Sequence, residues 1–408
     1  MPLDAICLGA VTEELNHVLA GCRVEKVYQP DRDEIVLQTR GQGGARRLLV
    51  STAAGAPRVH FIDVARENPA APPMFCMLLR KHVQGAKIAA VVQPAVERML
   101  TIELDTTDEM GVACKKHLIC ELMGKHSNVI LCGEDNRIID AMRRVDGDLS
   151  GKRQVLPGLF YRLPPAQEKH DPFALSGVGL SASLQSADGE MGLDRYLLSQ
   201  LLGFSPLLCR ELSYRATGDT AKPVGKLTAE EQLRLAQVFE DLKSYLTEKR
   251  WKPFLLTKTE DHAVFDFSFL PITQYEGLMT VSQEQSFSDL LAAFFEKKGK
   301  TGAGKCSSLF LGFRERFTGH THEFFQKGPV FQPLDPEHRL SPFIGQFQLA
   351  IRHEGFSRFR DLHEQAIVAN AAEQFAVAID AIFAEHLPVG DGSRIFQPCR
   401  DGLHELRA

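Results

Sequence analysis

The sequence predicts an α+β protein: a mixed, β-rich N-terminal domain, a helical domain behind it and an irregular tail. Three observations carry that expectation. An amphipathic helix at residues 3–20 is followed by four strand signals with turn-rich separators. The stretch LICELMGKHSNVILCGEDNRIIDAM at 118–142 reads as three short strands around two bends. From residue 193 onward, alternation gives way to helical spacing with N-cap signals.

Leu3, Ile6, Ala10, Val11, Leu15, Val18 and Leu19 recur at helical spacing, with Gly21 as the stop and Pro2 placed in the first turn. Strands are expected at Arg23–Tyr28, Glu34–Thr39, Arg46–Ser51 and Arg58–Ile62, because the separators QPDRD, GQGGA and TAAGAP are turn chemistry. Met74 to Val83 reads as a short helix ended by Gly85, its Arg80, Lys81 and His82 complementing the dipole at the C-terminal end. Two strands, Lys87–Gln93 and Met99–Asp105, flank the tight connection Pro94-Ala95-Val96-Glu97-Arg98. Leu118–Met123, Ser127–Cys132 and Ile138–Met142 complete the strands. The bend between the first two gathers Gly124, Lys125, His126, Ser127 and Asn128, a set that a sheet presents outward.

Prolines and Gly158 in RQVLPGLFYRLPP preclude regular structure, and the polar run after it is a linker. Residues 193–216 form two helical runs broken at Gly203-Phe204-Ser205-Pro206, with Pro206 opening the second. Thr228 with Glu231 is a capping-box start for a helix to about Glu248. Lys252–Phe269 alternates as a small hairpin around Thr259-Glu260-Asp261-His262, and Ser286–Lys298 is helical again. These signals divide the chain at 1–172, 173–250, 251–298 and 299–408. In the last segment GKTGAGK misses the register of a phosphate loop, and His320-Thr321-His322 has no third ligand at diagnostic spacing, so no metal is assigned.

With a net charge of −5 and a pI near 6.3, the chain carries no global basic signature, so any nucleic-acid contact has to come from local patches. Three such patches exist: Arg80-Lys81-His82, Lys115-Lys116-His117 and Lys125-His126. Nine scattered cysteines without a C-x-x-C pair read as reduced, mostly buried thiols of a cytoplasmic protein. No apolar window approaches the ~18 residues of a membrane span, and the start lacks the features of an export signal.

Five blocks, in order, carry a resemblance: LDAICLGAVTEEL near the start, VYQPDRDEIVL at 27–37, NP with PPMFCMLLRKHVQGAKI at 68–88, ELMGKHSNVIL at 121–131 and VLPGLFYRLPP at 155–165. On them the first 170 residues resemble the NFACT family, also called the fibronectin-binding protein A-like family. GFSPLLCREL at 203–212 resembles the helix–hairpin–helix domain that follows in that family. The resemblance implies a first domain similar in fold to the N-terminal domain of formamidopyrimidine-type DNA glycosylases. It also implies a ribosome quality control factor. Such a protein binds a large ribosomal subunit obstructed by peptidyl-tRNA, holds tRNA (alanine tRNA in the family) and promotes C-terminal alanine tailing of the stalled chain. The chemistry belongs to the ribosome, so no cofactor or catalytic residue is expected.

The family's acid–arginine pair, usually Asp-Arg, falls on Glu97-Arg98. Together with Arg80, Lys81, Lys115, Lys116, Lys125, His126 and Asn128 these are the expected RNA-contacting residues, with the cations forming one phosphate-facing stripe. Residues 299–408 show neither the family's long coiled coil nor its basic C-terminal domain, because Phe, Gly and Pro interrupt every heptad. Two other readings stand beside this one. A surface adhesin binding fibronectin would need export. A glycosylase would use the Pro2 amine, but Leu3 stands where its neighbouring glutamate would be.

Overall fold

The computed structural model describes residues 3–108, 110–147 and 153–296. The expectations for Pro2, for the end of the last helix, for GKTGAGK and for the tail lie outside these residues. The first helix, α1 (Ala5–Leu19), begins because Asp4 caps it, its carboxylate accepting from the Cys7 amide at 2.7 Å. Gly21, at φ +85°, ends the helix and turns its amide onto the Ile88 carbonyl at 2.8 Å.

Nine strands then form one antiparallel sheet: β1 (Arg23–Asp31), β2 (Glu34–Gly41), β3 (Gly44–Ser51), β4 (Arg58–Phe61), β5 (Lys87–Val92), β6 (Met99–Thr107), β7 (Ala113–Glu121), β8 (Asn128–Gly133) and β9 (Ile138–Ala141). Their order is β4-β3-β2-β1-β5-β6-β7-β8-β9, two meanders joined edge to edge at β1 and β5. The helix α2 (Met74–Val83) makes the connection between the meanders, packing Cys76 and Leu79 into the core against β1. The strand β7 starts five residues earlier than its apolar run, since Lys115-Lys116-His117 pairs in register with β6. Cross-strand pairing, set by the neighbour, here overrides a polar sequence.

The two meanders are also tied together by one guanidinium. Arg143, just past β9, donates to Asp33 at 2.8 Å and to the Thr52 carbonyl at 3.2 Å. A second small core of Met99, Ile119, Ile130, Cys132, Ile138 and Val155 lies on the opposite face of β6–β9. The irregular 153–162 segment covers it, held by Arg153 and Tyr161 on the buried Glu121 carboxylate at 2.6 and 2.8 Å.

The helical part comprises α3 (Gly177–Ser183), α4 (Leu193–Gln200), α5 (Pro206–Thr217) and α6 (Ala229–Thr247). The short α3 was not legible in the sequence. Its Gly177 lies so close to α6 that a Cβ would stand 2.3 Å from the Ala236 carbonyl oxygen. At the start of α6 both halves of the capping box between Thr228 and Glu231 form. The expected hairpin is β10 (Phe254–Lys258) with β11 (Val264–Ser268), and a further strand, β12 (Met279–Gln283), pairs with the other edge of β10.

Two glutamates fasten these later segments. Glu211 on α5, 1 % exposed, accepts from the Thr273 and Gln274 amides at 2.9 and 3.0 Å. Glu14 on α1 accepts from the Phe287 and Ser288 amides at 2.6 and 3.0 Å, capping the helix at 287–296. Phe287, Leu290, Leu291 and Phe294 of that helix join the same core as α1 and the sheet.

A tight junction lies at Gly203, between α4 and α5. Its carbonyl receives the Ala5 amide at 3.1 Å, its φ is +78°, and a Cβ there would stand 2.3 Å from Val96 Cγ1. Gly203→Ala combines a left-handed strain of ~1 kcal/mol with overpacking of ~1–3 kcal/mol. Urea unfolding of this variant is expected to show a loss on the order of 2–4 kcal/mol, against no loss for Gly43→Ala, whose Cβ meets nothing within 4 Å.

Candidate nucleic-acid interface

The 93–98 connection is positioned from three sides. Gln93 spans it, donating to the Ala5 carbonyl at 2.8 Å and to the Glu97 carbonyl at 2.6 Å. Val96 packs on Gly203, and the Arg98 carbonyl takes the Leu122 amide at 2.8 Å. Ala95 holds φ +51°, a conformation that costs a non-glycine residue ~1 kcal/mol or more and persists here because both flanks are fixed. The loop is rigid for that reason.

Glu97 and Arg98 are half-buried. Burial lifts the Glu97 carboxyl above its ordinary range, and Arg98 partly offsets this. Beneath the loop stands a polar cluster that the sequence did not announce. Asp4 is buried at the meeting point of the α1 and α5 N-termini; its pKa is pushed up to about 6 by burial, with the Ser205 hydroxyl and Cys7 amide pulling the other way. Asp266 and Arg98 lie near enough to act on it electrostatically. Ser205 in turn caps α5 through the Leu208 amide at 3.4 Å. Only the N-cap role of Asp4 carried a sequence signal, as an acid directly before an apolar-periodic run.

The other expected residues do not share one face. Lys81, Lys115, Lys125 and His126 are exposed, and Arg80 is half-buried with its Nε on the Val27 carbonyl at 3.0 Å. Lys116 is 7 % exposed, its ammonium 3.2 Å from His82 Nδ1, because alternation on β7 turns it to the core face while Lys115 and His117 face outward. Asn128 is 3 % exposed and serves the backbone: its Oδ1 accepts from the Arg143 amide at 2.9 Å and its Nδ2 donates to the Arg143 carbonyl at 2.7 Å. The expected set is thereby corrected at two places: Lys116 and Asn128 are withdrawn into the structure.

At the Gly124–His126 turn, Gly124 takes φ +62°, and Arg143 supports the Lys125 and Ser127 carbonyls from below at 3.4 and 3.3 Å. The turn therefore projects Lys125 and His126 while burying Ser127. Among the described residues no cluster of three or more His, Cys, Asp or Glu side chains has the arrangement of a metal site, and no helix is long and apolar enough to cross a membrane.

Two outcomes test this geometry. Lys115→Gln is expected to leave the thermal midpoint within about 1 °C, as for a surface change, whereas Lys116→Gln lowers it by several degrees through loss of a buried contact. The second concerns pH. Asp4 (3.8 when unfolded, about 6 folded) gives stability that is full below pH 3.8 and lost as pH rises through 6. His60 is lowered by burial from 6.5 to about 4, so its contribution is present above pH 6.5 and lost as pH falls through 4. The two oppose each other across one window. Asp4→Asn, which keeps a good cap, should gain on the order of 2–3 kcal/mol over the parent above pH 6, at ~1.4 kcal/mol per pKa unit. That gain should shrink to nothing near pH 4, as followed by urea unfolding at each pH.

Comparison with known proteins places this architecture. "Rqc2 homolog RqcH" of Bacillus subtilis (strain 168) is 36 % identical over 217 residues, covering 53 % of this chain and 38 % of the relative. "Ribosome quality control complex subunit NEMF" of Homo sapiens is 28 % identical over 140 residues, covering 34 % of this chain and 12 % of the relative. The chain spans less than half the length of the curated relatives it matches. Among solved structures, the fibrinogen binding protein from Staphylococcus aureus superposes with a TM-score of 0.60 at 27 % identity, covering 71 % of this chain and 98 % of that one. Residues 4–307 match the family described as NFACT N-terminal and middle domains, and the chain belongs to the NFACT family.

Proposed function

We propose that this protein is a ribosome quality control factor that recognises large ribosomal subunits obstructed by peptidyl-tRNA, holds tRNA and promotes C-terminal alanine tailing of the stalled chain. Relatives named RqcH and NEMF support the quality-control reading. The observation that carries the tRNA reading is the Glu97–Arg98 loop. A planar guanidinium with fixed backbone on both sides is pre-organised for a phosphate or a base edge, and little conformational entropy remains to be lost when it binds. Glu97 supplies the acid of the pair with an arm one methylene longer than the usual Asp. In this reading α4, the Gly203 turn and α5 act as the helix–hairpin–helix element that braces the loop. Lys125 and His126, projected on their turn, are further phosphate contacts.

A charged hydrogen bond of this kind contributes ~1.5–3 kcal/mol, equivalent to roughly ten- to a hundredfold in affinity. Because Arg98 is half-buried, Arg98→Ala is expected to lower the thermal midpoint as well as tRNA binding; Arg98→Lys keeps the charge and the stem, and isolates the fork. Co-sedimentation should show the protein with large subunits that carry peptidyl-tRNA and not with empty ones. Arg98→Lys should lose tRNA retention about tenfold with an unchanged midpoint, and Glu97→Asp should retain it. Equal sedimentation with empty and obstructed subunits would sink the proposal.

The adhesin reading has one observation in its favour, the fibrinogen-binding description of the superposed staphylococcal structure. Saturable binding to immobilised fibrinogen or fibronectin, with no subunit binding, would establish it instead.

A further inference from the structure

The register of the sheet assembles a row of charge that no segment of sequence contains. Arg40 on β2 stands directly opposite Arg23 on β1, and Arg23 directly opposite Lys87 on β5. The row continues through Asp105 on β6 to Lys115 on β7. Directly opposed residues of an antiparallel sheet point to the same face, so all five side chains rise from one surface, and all five residues are exposed. At ~4.8 Å per strand the row is about 19 Å long. Lys26, opposite Gln38 and exposed, adds a further cation to the same face beside Arg23.

Three consecutive like charges across adjacent strands are unfavourable, since cross-strand neighbours of one sign repel. Two acids flank them: Glu25, at the bulge of β1, pairs with Arg40, and Asp105 on β6 stands opposite Lys87. Arg23 lays one Nη on the Gly85 carbonyl at 2.6 Å, which fixes the guanidinium without neutralising it. In a chain of net charge −5 such a row is a local reversal of sign, held on a rigid sheet across the joint of the two meanders.

We propose that this row, Arg40–Arg23–Lys87 with Lys26 and Lys115 at its margins, is a docking surface for the phosphate backbone of an RNA, separate from the Glu97–Arg98 loop. The choice of RNA rests on the quality-control reading; the surface itself rests on the register. A backbone crossing the row meets cations from several strands at spacings that successive phosphates can bridge, and its charge relieves the repulsion built into the free sheet. Contacts of this type position a nucleic acid and read no sequence.

The test measures anisotropy of a fluorescein-labelled RNA duplex against KCl concentration, using the full chain, Lys87→Gln and the Arg23→Gln/Lys87→Gln double variant. Each lost phosphate contact reduces the log–log salt slope by about 0.9 on the B-DNA scale. The double variant should therefore flatten the slope by about two and the single by about one, while the thermal midpoint of Lys87→Gln stays level or rises. Should Arg23→Gln fail to fold for want of its Gly85 contact, Lys87→Gln alone decides. An unchanged slope overturns the proposal, as does binding of phosphatidylserine vesicles in place of the duplex. The readouts keep this surface apart from the previous reading: tRNA retention and co-sedimentation with obstructed subunits report on that reading, the duplex salt slope of Lys87→Gln reports on the row, and either can fail without the other.

Discussion

At Gly203 the protein has room for a hydrogen and for nothing larger, and the placement of its candidate site depends on that contact. Ala5 at the start of α1, Val96 in the β5–β6 connection and the α4–α5 turn all meet there. A side chain at this point would push the turn off the loop. Gln93 would then bridge the Ala5 and Glu97 carbonyls across a longer gap, and Asp4 would separate from Ser205. The half-buried state of Glu97 and Arg98 follows from this packing, as does the positive φ of Ala95. A loop that would otherwise sample many conformations is fixed by contacts on three sides, the physical basis for any selectivity it has.

Elsewhere the fold is fastened by buried carboxylates that each receive several donors. Glu121 takes Arg153 and Tyr161; Glu34 takes Arg58 and Arg66; Glu211 takes Arg215 and the 273–274 amides; Glu14 caps the helix at 287–296. Each joins segments far apart in the chain. Removing one partner of a buried pair costs ~3–5 kcal/mol because the remaining charge is stranded, although an apolar replacement of the whole pair can be neutral. These groups therefore specify which segment docks where more than they add to net stability. Asp4 is the exception: burial outweighs the Ser205 and Cys7 donors and the pull of Arg98, and its pKa is raised.

The sheet shows the complementary arrangement on its outer surface. Inside, charges are matched; across β2, β1 and β5 three cations stand side by side, with Glu25 on Arg40 and Asp105 opposite Lys87 at the two ends. Stability alone would not select that row, whereas a polyanionic partner would. The same alternation that exposes Lys115 buries Lys116 beside His82, so neighbouring lysines in one strand have different environments and different consequences when changed.

The sequence by itself determined the elements that local chemistry controls. The helix periodicity of α1, the stop at Gly21, the capping box of α6, the turns between strands and the break before Pro206 were all readable, because each depends on residues within a few positions of one another. The acid–arginine pair was found through family resemblance, and its loop through Pro94. What only the tertiary structure decided were features set by distant partners. β7 begins at Ala113 because β6 pairs with it, and β12 exists because β10 has a free edge to offer. Lys116 and Asn128 turn inward because strand parity and the Arg143 backbone require it. The row Arg40–Arg23–Lys87 joins residues that no window of sequence holds together, and cross-strand register is a property of the folded sheet alone.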